Sequence, residues 1–146
     1  MPSTKASEVA QALRERLGEI RPENGYLTAI DRVYGPTEKV KDKAPLPYLI
    51  VRTSVDSRTG AAKTQASRIR TFEVEAVFGR SAEEADLDSI HVDVLRALGF
   101  GRDEYDGRFP GLIEEQDDAV PQYASEGRDT HSITITIGVA YVENYN

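Results

Sequence analysis

Residues 68–79 read RIRTFEVEAVFG, and this stretch decides the fold class. Apolar and polar residues alternate with a period of two, the period of an extended backbone whose successive side chains point to opposite faces. Phe72, Val74, Ala76 and Phe78 fall on one face, and Glu73 and Glu75 on the other. The stretch is therefore a strand with one face turned to a core. The same period returns at 132–142, SITITIGVAYV, where Ile133, Ile135, Ile137, Val139 and Tyr141 share a side. So apolar a stripe predicts a central place in a sheet. Residues 48–54, YLIVRTS, form another strand, entered through Leu46 and Pro47.

Outward from these strands the period changes. Val9, Leu13, Leu17 and Ile20 recur at three- and four-residue spacing, which predicts an amphipathic helix over 7–20 with Ser3 or Ser7 as its cap. Pro22, Asn24 and Gly25 end it. Ser81 opens a second helix, with Glu84 at the spacing of a capping box; Leu87, Ile90, Val94 and Leu98 form its stripe and Gly99 stops it. Residues 26–34 alternate imperfectly and predict a first strand, and 35–47, rich in proline and lysine, an exposed connection. Residues 55–67 are polar with no apolar period, which predicts a mobile loop or a long hairpin tip. After a charged, glycine-rich connection at 101–111, Leu112-Ile113 and 120–123 predict short strands, separated by an acidic turn at Glu114, Glu115, Asp117 and Asp118. Helix, three strands, helix, then two or three strands imply an α+β fold: a mixed or antiparallel sheet of about five strands carrying two helices, in one domain spanning 1–146.

Composition narrows the function classes. At 146 residues a single domain can bury roughly 68–70% of the surface its unfolded chain exposes. With no cysteine, no disulfide, thiolate metal site or cysteine nucleophile is available. The N-terminus has no apolar region of a signal peptide, and no stretch approaches the ~20 apolar residues of a membrane span. A net charge of −7 argues against general binding to phosphate backbones, whose affinity rests on clustered Lys and Arg. The local exception is Arg52, Arg58, Lys63, Arg68 and Arg70, set against the single acid Asp56. A solvated loop with basic flanks accounts for them more simply than a nucleic-acid patch.

Chemistry finds little support. His91 lies in the second helix and His131 at the start of the last strand, with no acid spacing of a metal site beside either, so neither is assigned a role. No G-x-S-x-G elbow, S-x-x-K motif or phosphate loop occurs. The acidic run lacks the D-x-D-x-D-G spacing of a calcium loop. Glu73 and Glu75 lack the lysine that would complete a nuclease-like site, and a sheet face meeting solvent or another subunit explains them better. No catalytic residue, metal site or cofactor is assigned, and the chain reads as a non-enzyme.

The order of pieces nonetheless resembles a known family. The helix VAQALRERLGEI leads into ENGYLTAIDRVYG. Then follow the proline-flanked strand APLPYLIVRTS, a polar loop, the strand RIRTFEVEAVFG, the helix SAEEADLDSIHVDVLRALGF and the terminal strand HSITITIGVAYVEN. Over nearly its whole length the chain resembles the tail terminator, or tail completion, proteins of long-tailed bacteriophages, in order, lengths and texture. The resemblance implies a structural subunit that forms a hexameric ring at the head-proximal end of the tail tube. There it would end tube polymerisation and join the tail to the head connector, after assembly in the bacterial host cytoplasm. The implied partners are further copies, the tube protein and the connector or neck protein, with genomic DNA passing through without sequence-specific binding and no membrane involved. On that reading the interface residues are Arg52, Arg58, Lys63, Arg68 and Arg70 around the 55–67 loop, then the 101–111 loop and Glu114, Glu115, Asp117 and Asp118. The competing readings are a head–tail connector or neck protein, a monomeric binding adaptor, and a metal-dependent nuclease using Glu73, Glu75 or the acidic run.

Overall fold

The two alternating stretches lie side by side in the computed structural model, which describes residues 3–100 and 109–145. Among the described residues five strands form one sheet: β1 (Val33–Tyr34), β2 (Tyr48–Ala61), β3 (Gln65–Gly79), β4 (Leu112–Gln122) and β5 (Thr130–Asn144), in the order β1-β2-β3-β5-β4. β1 runs parallel to β2 and every other pair is antiparallel, so the sheet is mixed. With the helices α1 (Lys5–Leu17) and α2 (Glu84–Ala97) it makes an α+β fold, as the periodicities predict.

Register explains the core. Val74 lies between Val51 of β2 and Ile135 of β5, Ala76 between Leu49 and Ile133, and Phe72 opposite Ile137. All eight are almost fully buried on one face, together with Val9, Leu13 and Leu17 of α1 and Leu87, Ile90 and Val94 of α2. Both helices therefore cover the same side of the sheet, and each fully buried side chain of this size contributes roughly 1.5–3 kcal/mol by leaving water. β5, paired on both sides and buried along its odd positions, is an interior strand as expected.

The caps differ from the expected ones. Thr4, rather than Ser3 or Ser7, caps α1, its hydroxyl accepting the Ser7 N–H at 3.0 Å. The Glu143 carboxylate also accepts the N–H groups of Lys5 and Ala6 at 2.9 and 3.2 Å, placing a negative charge at the positive end of the helix dipole. In α2 the reciprocal box is formed by Glu83 and Asp86, two residues beyond the Ser81–Glu84 pair. Gly99 does close α2, at φ +103°, a backbone conformation that glycine takes without a side-chain clash.

Three strand expectations need correction. Of 26–34 only Val33–Tyr34 pairs as a strand. The backbone ahead of it is satisfied elsewhere: Leu27 and Thr28 donate to Asp93, Ile30 to the Ile20 carbonyl and Asp31 to the Pro47 carbonyl. Residues 55–67 are no mobile loop. β2 continues to Ala61 and β3 begins at Gln65, so the hairpin-tip alternative holds, with the turn at 62–64. β3 pairs with β5 along its whole length and so offers β2 a template well beyond the apolar residues. The acidic run is not a turn between two strands but part of the continuous strand β4, whose register shifts between Glu114 and Asp118.

Gly111, just before β4, packs where no side chain fits. A Cβ there would lie 2.7 Å from Val139 Cγ1 and 3.0 Å from the Ala140 carbonyl oxygen. Gly111→Ala is expected to lower the unfolding free energy by about 2 kcal/mol through overpacking, measured by urea denaturation. An unchanged midpoint would mean that this approach opens freely.

Candidate functional site

The face of the sheet opposite the helices has no described helix packed on it. Alternation places Tyr48, Ile50, Arg52 and Val55 of β2 there, with Ile69, Thr71, Glu73 and Glu75 of β3. Ala140 and Val142 of β5 and Leu112 and Val120 of β4 complete it through the same register. Val55, Leu112, Val120 and Val142 are each about half exposed, and Ile69 and Ala140 partly so. Charge on this face is partly neutralised within it, because Arg52 Nη2 meets Glu75 Oε1 at 2.5 Å. A broad, mixed apolar and threonine-rich surface left uncovered is the character of a protein-binding patch.

A β-bulge decides where Asp56 goes. Between Thr53 and Val55 the β2–β3 register shifts by one residue, so Val55 turns to the bare face and Asp56 takes the core side that simple alternation would give to Val55. There Asp56 meets Arg68 and Arg70, its cross-strand neighbours. Arg68 Nε donates to Asp56 Oδ1 at 2.5 Å, and Arg70 Nη1 lies 3.2 Å from Oδ2 while its Nε donates to Thr53 Oγ1 at 3.1 Å. The Tyr141 hydroxyl also donates to Asp56 Oδ2. Burial pushes the Asp56 carboxyl up, but the hydrogen bonds from Tyr141 and Arg68 and the charges of both arginines outweigh it and hold the group below the usual carboxylate range. Burial, together with the bond to the Asp56 anion, pushes the Tyr141 phenol up to about 12.

The nine expected interface residues are thus not one patch. Arg52 belongs to the bare face, Arg68 and Arg70 are tied to Asp56 on the helix side, and Arg58 and Lys63 stay exposed toward the hairpin tip. Asp118 is exposed on β4 opposite Thr136. The side chains of Glu114, Glu115 and Asp117 and most of the 101–111 loop lie outside the described residues. Glu75, read as a bare-face acid, is the partner of Arg52.

Two polar residues organise the scaffold without any sequence motif to mark them. Asp93, fully buried in α2, accepts the Leu27 N–H at 3.0 and 3.1 Å and the Thr28 N–H at 2.8 Å. His131 accepts the Ala124 N–H at Nδ1, 2.8 Å away, and its Nε2 lies 3.1 Å from the Arg80 carbonyl oxygen. With Nδ1 accepting, the proton resides on Nε2, and the ring joins the β4–β5 turn to the connection before α2. Among the described residues no three or more His, Cys, Asp or Glu gather as metal ligands would, and no described helix is long and apolar enough to cross a membrane.

No family model and no curated protein matches this chain. A solved structure with 16% sequence identity superposes at a TM-score of 0.52, over 95% of this chain and 94% of its own. The chain shares that α+β fold. At such an identity the likeness carries the architecture and nothing of the chemistry.

Proposed function

We propose that this chain is a structural subunit of a phage particle. It forms a ring at the head-proximal end of the tail tube, ends the tube's polymerisation and joins it to the head connector. The observation that carries the reading is the bare face of the sheet, where half-exposed Val55, Leu112, Val120 and Val142 stand uncovered by either helix. Such a face is stable in water only at a cost, and a neighbouring subunit that covers it removes the cost through apolar burial. The α+β fold is also the fold class that the family resemblance implies. In a ring each subunit offers two different surfaces, one to the copy before it and one to the copy after it, and the rotation closes. The acidic balance, −7 overall, suits a channel along which DNA slides without adhering.

The test is the mass of the purified protein in solution by light scattering, followed by electron microscopy of mixtures with tail tubes. A ring of about six copies, or monomers that assemble on tube ends, is the expected result. A protein that stays monomeric with tubes present would overturn the reading and leave a binding adaptor. Rings that bind the portal side and ignore tubes would move it to the neck.

A further inference from the structure

The two strands of the β2–β3 hairpin join two surfaces of opposite charge. At the distal end the residues 57–65 are all exposed, the turn carries small side chains at Ala61 and Ala62, and its charges are Arg58 and Lys63. From Ser57 through Phe72 the chain has no acid at all. At the other end, where β2 begins and β3 stops, an open groove of about 570 Å³ is lined by Leu27, Leu46, Pro47, Phe78, Ser81 and Ala82 among others. Beside it the start of α2 presents four exposed acids, Glu83, Glu84, Asp86 and Asp88. Leu27 and Leu46 are exposed apolar side chains at this groove.

These two surfaces cannot meet within one molecule. Fourteen residues of β2 separate them, about 45 Å of extended chain at ~3.3 Å per residue. We infer that the hairpin tip of one copy docks in the α2 groove of a second copy, with Ala61 and Ala62 against the exposed Leu27 and Leu46 and with Arg58 and Lys63 facing the acids. Small tip residues let the turn approach closely, and the charges fix which end of the neighbour is met. The contact joins unlike surfaces, so it is head-to-tail, the kind that generates rings when its rotation closes. This inference rests on the assembly reading and names the contact within it.

Charge exchange tests it. Arg58→Glu with Lys63→Glu leaves the strand pairing in place, since both side chains are exposed; Glu84→Lys with Asp88→Lys spares the Glu83–Asp86 cap. Each pair alone is expected to weaken assembly by more than about tenfold in light-scattering titrations, and the four changes together in one chain to restore it. Assembly indifferent to the tip charges, or not restored by the fourfold exchange, overturns the contact. The absence of native cysteine allows an independent check: mixed Ala62→Cys and Ser81→Cys chains, oxidised, should form the 62–81 heterodimer. Assembled protein that yields only 62–62 dimers or no cross-link also overturns the contact while leaving the assembly reading intact. A chain that remains monomeric beside tail tubes brings down the assembly reading itself.

Discussion

Replacing Asp93 by alanine is expected to lower the unfolding free energy by about 4 kcal/mol, because hydrogen bonds to a charged group are each worth ~1.5–3 kcal/mol and two backbone donors lose their acceptor together. The side chain is fully buried, and both carboxylate oxygens are used by Leu27 and Thr28. The Thr28 N–H lies in a buried residue and the Leu27 N–H in an exposed one, so water can rescue the second and not the first. Asp93→Asn keeps one carbonyl oxygen and gives up the charge, and is expected to cost about half as much. Urea unfolding measures both, and by thermal unfolding the alanine variant should melt roughly 8–16 °C lower, at ~2–4 °C per kcal/mol for a chain of this size. A loss below about 1 kcal/mol would mean that the loop finds other acceptors and that Asp93 does not hold it.

The same residue shows why the first strand was misread. Residues 26–34 carry Leu27, Ala29 and Val33 in near alternation, and alternation is a valid sign of a strand only when a neighbouring strand takes the backbone groups. Here the acceptors are a side chain from α2 and two isolated carbonyls, contacts more than sixty residues away in the case of Asp93, and no local pattern announces them. By contrast, 68–79 and 132–142 were legible because their periodicity is enforced by burial against each other. Ile133, Ile135 and Ile137 lie directly opposite Ala76, Val74 and Phe72, so pattern and pairing are the same fact. The hairpin beyond Val55 lies between these cases. Its residues bury little, and it is a strand because β3 and β5 extend that far, a tertiary reason that composition does not carry.

The candidate site was half legible for a related reason. The five basic residues between 52 and 70 are conspicuous in the sequence, and they suggest a single patch. Their division follows from alternation along β3, which puts Arg68 and Arg70 on the helix side, and from the bulge after Thr53, which turns Asp56 inward to meet them. A second register shift lies between Arg58 and Gly60, and Arg58 and Lys63 stay exposed toward the tip. Tyr141 continues the isoleucine stripe and reads as one more core residue; its ring is buried, yet its hydroxyl reaches Asp56 at the polar end of that face. The bare face itself was visible only as Glu73 and Glu75. Which side the two helices choose is set by the combined stripe of three strands.

The Asp56 cluster gives the second large effect, with a dependence on pH at both ends. Asp56→Ala strips an acceptor from Tyr141 and leaves Arg68 and Arg70 mostly shielded from water without their anion, and is expected to cost about 3 kcal/mol near neutral pH. Because the folded protein holds this carboxyl below its ordinary value near 3.8, the unfolded chain takes up a proton first as acid is added. The contribution of Asp56 is therefore complete above that ordinary value and fades as pH falls through it toward the lower folded one. Urea midpoints of the parent and of Asp56→Ala should converge on acidification, and a gap that stays constant to pH 3 or so would show that ionisation of Asp56 is not what holds the arginines. At the alkaline end the shift has the opposite direction. Tyr141 is raised from 10 to about 12, so its protonated hydroxyl supports the fold fully below 10 and loses that support as pH rises toward 12. Tyr141→Phe should remove this alkaline component and narrow the acid one without abolishing it, because Arg68 and Arg70 still hold the Asp56 anion. Loss of both together would instead tie the acid limb to the hydroxyl, making the Tyr141 bond, rather than the arginine pair, the contact that keeps Asp56 ionised on the inner face.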